Sequence, residues 1–385
     1  MLLSQLNGSW LYAERYVNNF KKVANEVRPE YCAMLGASSF FLPYVQLGLE
    51  QVTFWSAGRN DQVEKAFFPG KGMVNFFLHP ETLVDNPSLI NNDDLHWDVE
   101  VVPTASTRTV VPVGADYAIK THLDKRLSRF IRRLRPSSVE HSVAVSSELE
   151  RIARNAPESF AFFPESLGIA YKDIGMLVRE LIPHPVVKKE SMYLPLFSLY
   201  SQDQKCLSDS SLLEQLLSRT GEDPLVWVEK NIIIPLFEHL AYVWSSSGLL
   251  LEPHGQNVVL EFNHDYKVTR LVHRDFQSMY VARERMQFPF AKHLMGAECQ
   301  AAVSYSLVFD QYIGQYVFDP LSLLLQEKCG VAQESFVGMS RQCFSEIMSD
   351  DLRECFPAVQ FHMKKGVFDG NTTEFVAAGV PRYRP

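Results

Sequence analysis

The chain has 385 residues, 46% of them hydrophobic and 12% aromatic, with a formal charge of −8. That length and apolar content describe a folded protein of two or three subdomains around a large core, not a disordered one. The negative balance argues against nucleic acid or an anionic membrane as the main partner, so an anionic ligand would need a local cluster of Arg and Lys. The six cysteines (Cys32, Cys206, Cys299, Cys329, Cys343 and Cys355) show no C-x-x-C spacing, which gives no zinc or redox motif and suits a reducing compartment. The opening MLLSQLNGSW has no basic head or long apolar run, so no signal peptide is expected. The apolar stretch Asn231–Leu240 is interrupted by Pro235, Glu238 and His239, too short and too polar for a membrane span. A cytoplasmic protein is the expectation.

Residues 1–50 read as helical, with Tyr12, Tyr16, Phe20 and Val23 at helical spacing as a core stripe. Strands are expected at Val52–Trp55, Met73–Leu78 and Val99–Val102, with a loop over Asn86–Asp94. His79-Pro80 follows the second of these as a strand-ending pair. Val99–Val113 reads as two extended runs around a polar centre. Gly114-Ala115-Asp116 is then a turn and Tyr117–Leu123 a returning strand. Asp124–Leu134 is expected to be a helix with Asp124 as N-cap and Pro136 beyond its end. Ser138–Asn155 is a surface helix or connection. Phe160–Pro164, Ile169–Tyr171 and Ile174–Leu181 are short apolar runs, the last carrying Arg179-Glu180. Leu212–Ser218 and Pro224–Ser246 read as helices, the second kinked or broken at Pro235. Tyr280–Phe361 is mostly helical in pattern, with breaks at Asp319-Pro320 and Gly330, and Gly370–Pro385 reads as loop.

Two groups of residues carry chemistry. The first lies in Leu249–Tyr280. The polar clusters Glu252-Pro-His-Gly-Gln-Asn257 and Arg274-Asp275 flank two apolar runs, Val258–Phe262 and Val268–Val272, joined by the turn-forming 263–267. Folding that hairpin brings Asn257 and Asp275 together, and an amide oxygen beside a carboxylate is a hard-oxygen site of the kind that holds Mg²⁺ against phosphates. Glu252 is a further metal candidate. His254 could bond a phosphate, orient Asp275 or be structural, and Gln256 could meet a base or ribose. The second group is Ser106-Thr-Arg-Thr109 between valine-rich runs, where strand alternation would set Ser106 and Arg108 on one face beside Thr109. Lys120 follows, then Ser128 and Arg132, which would share a face if their segment is helical. Hydroxyls and guanidinium groups in this number suit phosphate oxygens.

The sequence E-x-H-G-Q-N, a hairpin and then R-D resembles the IucA/IucC family, the siderophore synthetases that work independently of peptide-synthetase assembly lines. The family's S-x-R-T, then K, then T/S at eight and R at twelve residues beyond that lysine, matches Ser106, Arg108, Thr109, Lys120, Ser128 and Arg132. The His79-Pro80 pair, Arg179-Glu180 and Leu194–Tyr200 also resemble it. The usual tryptophan and glutamine after the H-P pair are here Glu81 and Thr82, and the family's G-H-P-x-H-P-x-x-K motif is missing from this sequence. The departure falls on the carboxylate-binding side.

The resemblance implies an α+β, multi-subdomain cupped body with a hairpin-containing, kinase-like nucleotide site and a helical C-terminal part. Its regions would be 1–95 (a shortened, thumb-like part), 96–222 (fingers-like) and 223–385 (palm-like). It implies an ATP- and Mg²⁺-dependent ligase that adenylates a carboxylic acid, citrate or a related polycarboxylate, and condenses it with an amine or hydroxyl. Catalysis would fall to Arg108, Lys120, Arg132, His254 and Arg274. ATP would also meet Ser106, Thr109, Ser128, Gln256, Asn257 and Asp275, with metal at Glu252, Asn257 and Asp275. A kinase-like phosphotransferase and a non-catalytic ATP-binding partner subunit stay open, as do a homodimer and a partner synthetase.

Overall fold

The computed structural model describes residues 26–33, 36–58, 60–104, 106–127, 130–187, 191–201, 210–276, 280–281, 301–363 and 375–385. The stripe Tyr12, Tyr16, Phe20 and Val23 lies outside them.

The first half builds an eight-stranded antiparallel sheet. Its strands are β1 (Phe40–Gly48), β2 (Thr53–Ser56), β3 (Met73–Phe77), β4 (Leu95–Pro103), β5 (Thr109–Pro112) and β6 (Tyr117–Lys120). After the short pair β7 (Arg126–Leu127) and β8 (Phe130–Ile131), and β9 (Phe160–Phe162), the sheet gains β10 (Glu165–Tyr171) and β11 (Ile174–Glu180). Spatial order is β2-β10-β11-β6-β5-β4-β1-β3. It therefore takes strands from both sides of residue 95. Pro43 sits where the β1–β4 register slips between Leu42 and Tyr44, a bulge that tolerates a residue with no N–H to donate. One face buries Leu42, Val74, Phe76, Val101, Val110, Ile119 and Met176.

Two short helices, α1 (Asp61–Phe67) and α2 (Pro80–Asp85), accompany this half. His79 is the N-cap of α2, its Nδ1 accepting from Glu81 N at 3.2 Å. The long helix α3 (Pro136–Ala153) is no surface connection. It lays Val139 and Val143 onto β10 and β11, and its approach depends on two glycines. A Cβ at Gly168 would stand 2.2 Å from Val139 Cγ1, and one at Gly175 2.5 Å from Val139 Cγ2.

The second half pairs a four-stranded sheet with helices. Strand order is β12 (Met192–Pro195), β14 (Val258–Phe262), β15 (Val268–His273), β9, with β15 and β9 parallel. Leu249–Leu250 (β13) pairs separately with Tyr280–Val281 (β16). The helices are α4 (Leu212–Thr220), α5 (Pro224–Val228), α6 (Ile234–Ser247), α7 (Ala301–Ser306), α8 (Asp319–Cys329), α9 (Gln333–Ile347) and α10 (Asp350–Glu354). Pro235 does not break the chain of helix. A π-helical turn, Glu229–Ile233, absorbs the missing N–H and joins α5 to α6. Asp319-Pro320 likewise begins α8 directly after a π-helical run, Leu307–Phe318, because proline is tolerated in a first turn. Gly330 does end α8, at φ +71°.

Three further expectations are corrected. Phe40–Gly48 is a strand, its apolar residues alternating in burial. Asp124–Leu134 is not a helix: it carries the β7–β8 pair, and Arg133 turns back onto Asp124 at 2.8 Å. The tail is not loose. Phe375–Gly379 (β18) pairs with Gln360–Met363 (β17), and the last residues dock into the helical core. Arg384 grips Asp310 through Nε and Nη2 at 2.9 and 2.8 Å, with both side chains only 2% exposed. The Tyr383 hydroxyl donates to Asp319 at 2.6 Å.

Arg384→Ala strands the Asp310 carboxylate in the core and is expected to cost about 3–5 kcal/mol. A denaturant melt with an unchanged midpoint would refute this account of the tail.

Candidate functional site

The site forms where the two sheets meet. Only Phe163-Pro164 separates β9, in the four-stranded sheet, from β10, in the eight-stranded one. Phe163 N donates to His273 O at 2.9 Å and Glu180 N to Pro164 O at 2.8 Å, fixing this elbow to both. Glu165 at the start of β10, Arg179 near the end of β11 and Asp275 just after β15 therefore converge.

They form a continuous ion chain. Asp275 Oδ1 accepts from Lys120 Nζ at 2.5 Å and from Arg179 Nη2 at 2.8 Å. Arg179 Nη2 also donates to Glu165 Oε1 at 2.5 Å, and Glu165 Oε2 accepts from Phe276 N at 3.4 Å. Burial would raise the Asp275 carboxyl, but the Arg179 and Lys120 cations outweigh it and hold it well below the usual range. Burial pulls Lys120 down against the attraction of Asp275. Arg179 is held above its ordinary value because Asp275 and Glu165 outweigh its burial.

The hairpin folds as read. Val258 pairs with His273, and Arg274 N donates to Asn257 O at 3.0 Å, so Asn257 and Asp275 end the same ribbon. Asp275 adopts φ +72°, a left-handed conformation that Asp tolerates better than most residues. Arg274 Nε donates to Gln256 O at 3.0 Å. The His254 ring nitrogen Nδ1 accepts from Gln256 N at 3.3 Å, and burial pushes that imidazole down to about 4. Burial and the Asp275 charge push Glu252 up to about 8.

Ser106–Arg108 is a turn and not a strand. Thr107, at φ +62°, reverses the backbone, and Thr109 N donates to Ser106 Oγ at 3.2 Å. Arg108 points inward, 7% exposed, with Nη1 donating to Arg132 O at 2.9 Å and Arg133 O at 3.3 Å. Burial and the charge of Arg132 lower it to about 10. Ser128 lies outside the described residues, and Arg132 follows β8 outside any helix.

A cleft opens on this cluster. It is lined by Ser106, Thr109, Arg179, Gln256, Arg274 and Asp275 together with the apolar Val111, Ala118, Phe163 and Leu181. Lys120 reaches it through Asp275. His254 and Glu252 feel the charge of Asp275 without being among the lining residues. Among the described residues, the field around Asp275 includes the cations Arg108, Lys120, Arg132, Arg179 and Arg274. The Glu165 and Asp275 side chains are two acids against five bases, so the cleft suits a polyanion.

No three described His, Cys, Asp or Glu side chains are grouped to hold a metal. Asp275 Oδ2 carries none of the bonds above, and Asn257 and Glu252 add only oxygen donors of the hard type. Such a sparse set fits Mg²⁺ arriving on phosphates, and not a metal caged by protein alone.

Sequence reasoning left Arg179 and Glu165 out of the site. The Arg179-Glu180 pair was visible, but nothing local told that β11 would aim Arg179 at Asp275. It also missed a buried histidine pair beside the hairpin. His239 Nδ1 and His273 Nε2 lie 3.0 Å apart, and Ser159 Oγ meets His239 Nε2 at 3.0 Å. Burial pulls His273 down to about 3, and burial with the His273 charge takes His239 well below its usual value. A base whose folded value is depressed stabilises the fold above its unfolded value, about 6.5, and loses that contribution as pH falls. Stability is thus expected to drop below pH 6.5 by up to ~1.4 kcal/mol per pH unit for each histidine. His239→Gln should flatten that slope between pH 6.5 and 4 in denaturant titrations. Parallel curves would remove the pair from the acid response.

Residues 88–201 match the model of the IucA / IucC family, and residues 231–362 match that of the ferric iron reductase FhuF-like transporter. No curated protein matches the chain in sequence. Among solved structures, the fold is similar to petrobactin biosynthesis protein AsbB from Bacillus anthracis str. Sterne. Identity is 16% and TM-score 0.72, over 90% of this chain and 69% of that one. It is also similar to ATP-bound aerobactin synthetase IucA from a hypervirulent pathotype of Klebsiella pneumoniae, at 17% identity and TM-score 0.67, over 89% and 70%. Aerobactin synthetase IucC from the same source follows at 15% and 0.66, over 86% and 66%. At these identities the structural likeness establishes the fold: mixed α and β, with a large antiparallel sheet and a helical C-terminal part. Residues 88–201 thus resemble the IucA / IucC family, and the chain shares the fold of these synthetase structures.

Proposed function

We propose that the chain is an ATP-dependent siderophore synthetase that activates a carboxylic acid as its acyl-adenylate and joins it to an amine or hydroxyl. The observation that carries this reading is the junction of Lys120 and Asp275 at 2.5 Å, with an excess of cations around a cleft. ATP and a carboxylate repel each other, and holding both at contact distance in a low-dielectric cleft requires fixed positive charge. Arg179, Arg274 and Lys120 supply it at the cleft, and Arg108 and Arg132 reinforce the field from beside it. Ser106 and Thr109 offer hydroxyls on the same wall. The ATP-bound relative supports the choice of nucleotide.

The reaction divides cleanly. A carboxylate oxygen attacks the α-phosphorus, and the bond from that phosphorus to the α,β-bridging oxygen breaks, the oxygen keeping the electron pair as pyrophosphate leaves. The amine or hydroxyl then attacks the acyl carbon and AMP leaves, its departing oxygen keeping the electron pair while the nucleophile loses a proton. Asp275, with Asn257 and Glu252, would hold Mg²⁺ on the phosphates, where the ion neutralises developing charge. Arg274 and Arg179 would orient the anions and keep them from separating. The three-part division at residues 95 and 222, citrate or a related polycarboxylate as the acid, and a cytoplasmic location belong to the same reading. Among the described residues no helix is long and apolar enough to cross a membrane.

The test is acid-dependent exchange of pyrophosphate into ATP, with a panel of polycarboxylates, and identification of AMP as the nucleotide product. ADP in place of AMP would replace the ligase with a phosphotransferase. Lys120→Ala and Asp275→Ala are each expected to reduce exchange by about 10²–10³-fold, as loss of a preorganised electrostatic group does. Undiminished exchange in either folded variant would take that residue out of the mechanism.

A further inference from the structure

Arg179 carries a donor that the ion chain does not use. Its Nη2 atom serves both Glu165 Oε1 and Asp275 Oδ1. Its Nε is buried and has no hydrogen-bond partner among the described residues, although the side chain is 7% exposed and lines the cleft. A buried charged donor left without an acceptor is costly, so such a group calls for a partner.

The register shows the direction from which an acceptor can come. Arg179 pairs with Ala118 across β11 and β6, and Lys120, two residues on, pairs with Thr109. Ala118, Lys120, Thr109, Val111 and Arg179 thus share one face of the sheet. Ala118, Thr109, Val111 and Arg179 line the cleft together. Glu165 and Asp275 both accept from Nη2, which shares an edge of the guanidinium with Nε, and neither takes the Nε–H. An acceptor for it would come from what enters the cleft.

We infer that Arg179 is a ligand-binding residue, donating its Nε–H to an anionic oxygen, phosphate or carboxylate, while Nη2 holds Asp275 and Glu165 in place. The inference rests on the proposed polyanion cleft and adds to it a residue that binds and positions at once. A ligand oxygen on Arg179 then sits beside the Asp275 that Lys120 also holds, so anion capture and the alignment of Asp275 are one event.

The experiment uses the full chain labelled with ¹⁵N-arginine. The Nε–Hε resonance of Arg179 is assigned by its loss in Arg179→Lys, which keeps a cation between Glu165 and Asp275 but removes Nε–H. Should that variant not fold, Arg179→Gln combined with Glu165→Gln serves for the assignment. On titration with ATP, tripolyphosphate and citrate, the Hε resonance is expected to move downfield. Movement with tripolyphosphate and ATP assigns the group to phosphate, and movement with citrate alone assigns it to the acid. Arg179→Lys is expected to weaken the effective ligand by about 10- to 100-fold in calorimetry. ATP binding in calorimetry with a stationary Hε resonance in every titration overturns the inference and leaves the synthetase reading standing. A resonance that moves with citrate while ATP does not bind overturns the nucleotide reading and retains Arg179. Silence toward all three ligands rejects both.

Discussion

A carboxylate held between two buried cations organises this molecule. Asp275 links Lys120 of the eight-stranded sheet to the hairpin of the smaller one, and Arg179 extends the link to Glu165. Desolvating such groups costs several kcal/mol for each ion, and apolar residues of the same volume would often serve stability as well or better. The charges therefore point to function. They also impose geometry, because misplacing any one of them leaves a partner buried without its counter-charge. The Phe163-Pro164 elbow and the left-handed turn at Asp275 are the backbone features that meet this demand.

Much of the candidate site could be seen in the sequence. The apolar runs around residues 263–267 alternate with turn chemistry, and that pattern alone sets a hairpin whose ends must meet. Lys120 follows from the spacing of the resemblance and Asp275 from the hairpin, and the two touch. Arg108 did not behave as drawn. A strand would have left its guanidinium on a face, but the turn at Thr107 drives it into the backbone carbonyls of Arg132 and Arg133. β-Branched residues rarely adopt positive φ, so nothing in S-T-R-T announces this conformation.

The errors share a cause: local pattern was overridden by distant contacts. Asp124–Leu134 has a helix's caps and charges, yet Leu123 and Leu134 are both fully buried and the described part between them carries the short strands β7 and β8. Residues 370–385 look polar and irregular, but Tyr383 and Arg384 are taken up by Asp319 and Asp310. Arg179 could be named as half of a pair, while its role at Asp275 depends on how β11 lies beside β6. Such placements come from long-range assembly and carry no short-range signature.

Lys120 and Asp275 stand 155 residues apart in the chain. Closing a loop of that length costs chain entropy that only the assembled fold repays. A fragment that stops anywhere between the two holds one member of the pair and no receptor. Any molecule captured at the cleft would clasp both sheets at once, so the melting point of the whole chain would rise with its concentration.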